Sequence, residues 1–413
     1  MPLLPRSIFS FAILGISVVA PFARGQGYSI TELGTFSGGA DLAGPINASG
    51  EVAAAGYLAD RFTYNAFLYN GSSLMNLGTL GGTDSRSVAI NATGEVAGVS
   101  TLSSGASHAF LYNGSHMLDL GAFGGSGASS LATAINASGE VAGSSGSDVF
   151  LYNGSTLLNL GSFGSFTSAT AMNDSGEVVG ESGPNVNESH AFLYDGSSLI
   201  DLGTLAGGAG RSFATGINAN GQVTGTSTAA HGSHAFLYSG GVMTDLGSFA
   251  GNQSNGEAIN SSGEVAGWSL TGNGEQVAFL YNGSKMQDLG DLGGMANVTG
   301  LNDSGVVIGY SAFDRGAEDD AFVYRSGKLW DLNDFLPVNS GIHLSTAASI
   351  NDAGQILATG FDSNLDISTD FILTPNQDLP DRASSFGLLG GALALLALAA
   401  QFRGAHVRGR ENA

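Results

Sequence analysis

A nine-residue phrase, clearest at 90–98 as Ile-Asn-Ala-Thr-Gly-Glu-Val-Ala-Gly, recurs along the chain and constrains its fold more than any other feature. It returns at 135–143, 172–180, 217–225, 259–267 and 301–309, with worn copies at 46–53 and 350–359. Its Asn falls at 47, 91, 136, 173, 218, 260, 302 and 351, a period near 43 residues. A period in that range marks a repeat architecture, in which each unit buries its apolar surface against its neighbours. The eight coupled units are therefore expected to make one repetitive body and not two or three unrelated domains.

Within one unit, Ser87–Asn91, Glu95–Val99, His108–Tyr112 and Met117–Gly121 are short apolar or alternating runs separated by Asn, Gly and Ser. These are strand and hairpin signals, and no run is long enough for a helix. In each Asn-x-x-Gly turn the Asn side chain can bond the backbone two residues on, while Gly takes the left-handed position. The turn pairs are Asn91 and Gly94, Asn136 and Gly139, Asn173 and Gly176, Asn218 and Gly221, Asn260 and Gly263, and Asn302 and Gly305. The Gly78–Gly82 stretch and its counterparts read as linkers to the next unit.

Four antiparallel strands per period match one blade of a β-propeller, and the expected fold is all-β with about eight such blades. The last unit offers strands at 348–351, 355–358 and 370–374 but no fourth, and Tyr28–Phe36 supplies the missing type. The N-terminal strand is thus expected to complete the last blade, removing the exposed edges of an open array. Seven blades, with an irregular third unit, or an open solenoid are the alternatives.

The two ends read as targeting segments. Arg6, the apolar run 8–20 and Ala23-Arg24-Gly25 form a signal-peptide pattern, with cleavage expected between Gly25 and Gln26. Residues 384–402 carry no charge, would reach about 28 Å as a helix, and precede Arg403, Arg408 and Arg410. The domain plan is therefore a signal peptide over 1–25, a repeat body over 26–376 and a C-terminal signal with a membrane helix over 377–413. The body is expected outside the membrane, with the C-terminal helix cleaved or kept as an anchor.

Between those ends, residues 26–381 keep seven Lys/Arg against 34 Asp/Glu, a balance of −27. That charge repels nucleic-acid phosphate and anionic membrane. Cysteine is absent, which removes disulfides and thiolate metal sites.

The tripeptides at His108, His190 and His234, the run Asp201–Gly208 and the run Asp331–Pro337 resemble the bacterial extracellular repeat family called HAF. Leu379-Pro380-Asp381, the apolar segment and the basic end resemble exosortase sorting signals of the PEP-CTERM and VPDSG-CTERM types. These resemblances imply an exported bacterial protein, an exosortase-like membrane protease as processing partner, and an association with exopolysaccharide or other surface proteins. They imply no established catalytic activity.

Candidate chemistry is sparse. His108, His190 and His234 share a repeat position that other units fill with Asn65, Asp148, Val277, Asp320 and Thr369, so a hydrogen-bonding role is expected there and not a metal ring. The turns at 173–177 and 302–305 loosely resemble Ca²⁺ loops, but hairpin chemistry accounts for them with no cofactor. Asn-x-Ser/Thr triplets such as Asn70-Gly71-Ser72 are read as turns. No Gly-x-Ser-x-Gly elbow or HExxH helix occurs. The segment Asp314–Asp320, with Trp268 and Trp330, departs from the repeat, and a site is expected where units depart. Trp268 itself is read as packing. The function expected from all this is a non-catalytic surface or matrix module associated with exopolysaccharide. The alternative is a polysaccharide hydrolase or lyase using carboxylates at a propeller channel.

Overall fold

The computed structural model describes residues 27–34, 44–58, 60, 62–125, 127–208, 210–312 and 318–376. Six stretches each form a four-stranded antiparallel unit with strands in chain order: 81–121, 130–161, 166–203, 212–245, 250–290 and 295–331. The units at 212–245 and 250–290 touch through one parallel pair, Ser233 with Gln253. The third unit, the weak one in sequence, has all four strands. The first unit has Val52–Tyr57, Tyr64–Tyr69 and Leu74–Gly78, with Ile46 as a single bridge to Val52 in place of a full inner strand.

In the last unit Ile342–Ile350, Ile356–Asp362 and Ile367–Pro375 pair in order, and Tyr28–Glu32 adds to the free edge with Ile30 opposite Leu373. The N-terminal strand does complete the last sheet. Tyr28 is held there by Arg325, whose guanidinium lies 4.9 Å from the Tyr28 ring and 5.1 Å from Phe335.

One expectation needs correction. The linker Gly78–Gly82 is not wholly a linker, because the strand Gly81–Ile90 starts inside it. Within the Asp331–Pro337 run, Leu332–Phe335 forms a 3-10 turn whose Asn333 amide is capped by the Asp331 carboxylate, with Leu332 and Phe335 buried. Leaving the strand there lets both apolar side chains turn into the core of the last unit.

The repeated phrase forms the tight turn between first and second strands, and the chemistry of its Asn explains its recurrence. In the copy at 91, Oδ1 accepts from the amides of Thr93 (3.1 Å) and Glu95 (3.0 Å). Nδ2 donates to the Glu95 carboxylate at 2.7 Å and to the carbonyl of Asn136, in the next turn, at 3.1 Å. Only a carboxamide both donates and accepts in this way, so Asp cannot substitute. Asn47, Asn173, Asn218, Asn260 and Asn302 make the same bond to the Asn carbonyl of the following turn, at 3.0–3.3 Å. Asn351 makes it to Asn47 at 2.9 Å, so the series returns to its start.

The turn Gly is required twice over. Gly50 has φ +80°, and a Cβ there would lie 2.9 Å from Oε1 of Gln355, the residue four after Asn351.

Packing follows the same repeat. Phe110, Phe150, Phe192, Phe236, Phe279, Phe322 and Phe371, one per unit on the third strand, are fully buried between sheets. First strands pack on first strands, from 81–90 through 130–135, 166–172, 212–217, 250–259 and 295–301 to 342–350. Buried hydroxyls cross the sheet interfaces: Ser130 Oγ accepts from Ala109 N and donates to Gly121 O, and Ser212 and Ser254 repeat this two and three units on.

Candidate binding cavity

The conserved-looking polar groups of the repeat are committed to structure. The turn pairs Asn91/Gly94, Asn136/Gly139, Asn173/Gly176, Asn218/Gly221, Asn260/Gly263 and Asn302/Gly305 all build the turn just described. The Ca²⁺-like loops are built otherwise than a calcium loop would be. Asp174 accepts the amide of Ala137, and Asp303 that of Ser261, each in the preceding turn, while Glu177 receives the Asn173 amide. Among the described residues no group of three or more His, Asp or Glu is arranged to hold a metal ion.

His108, His190 and His234 sit on separate sheets and face Asp119, Asp201 and Asp245 of the adjoining fourth strand at 2.8–3.0 Å. The same aspartates cap the amides of Gly121, Gly203 and Gly247. These histidines bond across strands, not within a turn as a purely local reading would place them. Gly25, Gln26, Leu379, Pro380 and Asp381 lie outside the described residues, as does the apolar run 384–402. Among the described residues no helix is long and apolar enough to cross a membrane.

Where units depart from the repeat, two features appear. The first is Glu257. A bulge in the first strand of each unit leaves one extra residue, and in the units at 166, 212 and 295 this is Thr170, Thr215 or Thr299. Those hydroxyls donate to carbonyls of the next sheet, Ala214, Gly256 and Ala347. The 250–290 unit has Glu257 there instead. Its Oε1 accepts from Asn255 Nδ2 at 2.6 Å, and Asn255 Oδ1 in turn receives the Thr226 hydroxyl. Burial pushes the Glu257 carboxyl up to about 7, against a smaller lowering by the Trp268 indole N–H that donates to it. Trp268 is therefore a hydrogen-bond donor to a titratable group and not packing alone. In sequence Glu257 looks like any alternating polar residue.

The second feature is a cavity of about 660 Å³ on the last unit. The entry to the strand Asp320–Arg325 contributes Glu318 and Asp319, and the first strand contributes His343, Ser345, Thr346 and Ala348. Thr359, Gly360 and Phe361 come from the second strand, and Ser368, Thr369 and Asp370 from the third. Glu318 and Asp319 belong to the divergent segment singled out in the sequence, whose residues 313–317 are not described. The His343 ring is held between two carboxylates, Nδ1 3.0 Å from Glu318 and Nε2 2.8 Å from Asp320. Asn333 buttresses this pair, donating to Asp320 Oδ1 at 3.3 Å and accepting from Leu344 N at 2.8 Å. Nearby carboxyls feel the crowding: burial, helped by Asp320 and Asp334, raises Asp331 despite the Asn333 backbone and side-chain bonds, and burial with the Asp362 charge raises Glu32. Among the described residues no Lys or Arg lines the cavity. Its chemistry is that of a pocket for positive charge.

No protein-family model and no curated protein sequence matches the chain. Solved structures do match. Dipeptidyl peptidase 4 of Porphyromonas gingivalis aligns at TM-score 0.50 and 10% identity, over 83% of this chain and 60% of that one. A prolyl endopeptidase structure gives 0.47 and 9%, over 82% and 55%. A puromycin-hydrolyzing peptidase of Mycobacterium tuberculosis gives 0.46 and 11%, over 78% and 58%. The chain thus spans 55–60% of the length of these structures. The matched parts are β-propeller domains, and the units of this chain are β-propeller-like repeats.

This overturns the functional expectation from sequence. The solved structures that share this fold are mostly peptidase propellers and not polysaccharide-associated modules, so the exopolysaccharide reading and its polysaccharide hydrolase or lyase alternative are withdrawn for this chain.

Proposed function

We propose that the chain closes as an exported eight-bladed propeller. In its last unit it binds polypeptide segments that present positive charge, either a free N-terminal ammonium or a basic side chain. The observation that carries the ligand class is the wall of the 660 Å³ cavity, where Glu318, Asp319 and Asp370 gather with no Lys or Arg among the described lining residues. The hydroxyls of Ser345, Thr346, Ser368 and Thr369 add neutral partners for a peptide main chain. Closure is supported by the Asn351–Asn47 bond and by the Ile30–Leu373 register. The propeller reading is supported by the fold likeness to dipeptidyl peptidase 4.

Titration calorimetry of the full chain with matched lysine-containing and glutamate-containing peptides tests the proposal. Only the basic peptide should bind, more weakly as salt rises, and Glu318→Gln with Asp319→Asn should lower its affinity about five- to tenfold. Equal binding of both peptides, or no binding of either, would overturn it.

A further inference from the structure

We propose that the peptide site continues past Ala348 to Arg86, which takes the ligand's free C-terminal carboxylate; the ligand is then a short peptide with both ends free. This rests on the peptide reading above. A second cavity, of about 310 Å³, is lined by Arg86, Pro45, Val88 and Ser349, and it shares the Ala348 wall with the acidic cavity.

Arg86 stands five residues before the turn Asn, where the other units place Leu131, Ser168, Phe213, Asn255, Asn297 or Thr346. The positive charge belongs to this unit alone. The other arginines of the described repeats are spoken for: Arg211 forks onto Glu181 at 2.8 and 3.0 Å, and Arg325 clamps Tyr28. Arg86 is exposed, and no described carboxylate lies within ion-pair distance of it. The hydroxyls beside it are already used, Ser87 on the carbonyl of Ala54 and Ser349 between Ile46 N and Gly44 O. The guanidinium is therefore the charged donor left to this cavity, and its planar fork fits a carboxylate.

The two ends have opposite sign, as the ends of a zwitterionic peptide do. From His343 to Ser349 the first strand advances roughly 20 Å at about 3.3 Å per residue, the reach of about six extended residues.

The test uses the full chain and one lysine-free hexapeptide in three forms: both ends free, C-amidated, and N-acetylated. Against the native protein, amidation should weaken binding about tenfold, and acetylation should weaken it as well. Arg86→Gln, checked for an unchanged melting transition, should bind the free peptide as weakly as the native protein binds the amidated one. It should be indifferent to amidation. If acetylation matters but amidation does not, the Arg86 subsite is wrong while the peptide reading stands. If none of the three binds while the lysine-containing peptide does, the two-ended site falls and the peptide reading stands; if that peptide also fails to bind, both fall. Inorganic phosphate separates a general anion site from this one: tight phosphate binding that leaves peptide affinity untouched would overturn the carboxylate assignment.

Discussion

The side-chain amide of Asn351 donates to the main-chain carbonyl of Asn47 at 2.9 Å, across 304 positions of sequence. It is the same bond that Asn91 makes to Asn136 one unit along, so one local rule both stacks the units and joins the last to the first. Replacing Asn351 by Asp removes the donor and leaves the Asn47 carbonyl and the Gln355 amide oxygen without their partner. A loss of about 1–3 kcal/mol is expected, measured as a lower urea midpoint. Asn91→Asp should lose a similar amount, because the two turns are equivalent.

Stability should fall with rising pH through Glu257. Its folded value, about 7, lies above the ordinary 4.5. Relative to the charged form, the protonated form favours the fold, so the contribution is complete below the unfolded value and is lost as pH rises through 7. The full span is about 3 kcal/mol at most. Glu257→Gln keeps an acceptor for Asn255 and Trp268 without the charge. Melting temperatures at pH 5 and pH 8 should differ less in this variant than in the native chain, with the gain concentrated at pH 8.

Gly98 lies where the second strand meets the buried Phe110, and a Cβ there would sit 2.0 Å from the Arg86 carbonyl and 2.7 Å from that ring. Gly98→Ala should therefore destabilise by about 3 kcal/mol or more, visible in denaturant unfolding. Gly105→Ala, which meets nothing within 4 Å but has φ +89°, should lose about 1 kcal/mol from backbone strain alone.

The His–Asp pairs should be modest and metal-independent. His190 is partly exposed and bonds Asp201 at 3.0 Å. Its replacement by Asn, the residue at the same position of the first unit, should change stability by no more than about 1 kcal/mol. Adding a chelator should leave the melting curve of the native chain unmoved.

Much of the fold is written in local patterns. The Asn-x-x-Gly turn, the Phe-Leu-Tyr strand and the missing fourth strand of the last unit are contiguous signals, and each led to the observed element. What escaped depends on contacts between units. The second donor bond of every turn Asn but Asn136 reaches the Asn carbonyl of the next turn, and nothing in the nine-residue phrase announces it. Glu257 is visible only once the bulge at 256–258 sets it beside Asn255 and Trp268. The acidic cavity was half legible: the 314–320 departure pointed to Glu318 and Asp319, but Asp370 joins them only because the last two units pack side by side. The functional class was misjudged because an export-like frame and repeat resemblance say nothing about the chemistry of one divergent cavity.

Closure is tested most directly by a cross-link. Ser29 and Thr374 are direct partners across the N-terminal strand, and the chain has no cysteine of its own. In Ser29→Cys/Thr374→Cys, mild oxidation should give an intramolecular disulfide in the monomer, read as a 2 Da mass loss and as faster migration on a non-reducing gel, with about 3–5 kcal/mol of added stability. Free thiols after oxidation, or only disulfide-linked dimers, would mean that the first and last strands do not meet and that the repeats form an open array.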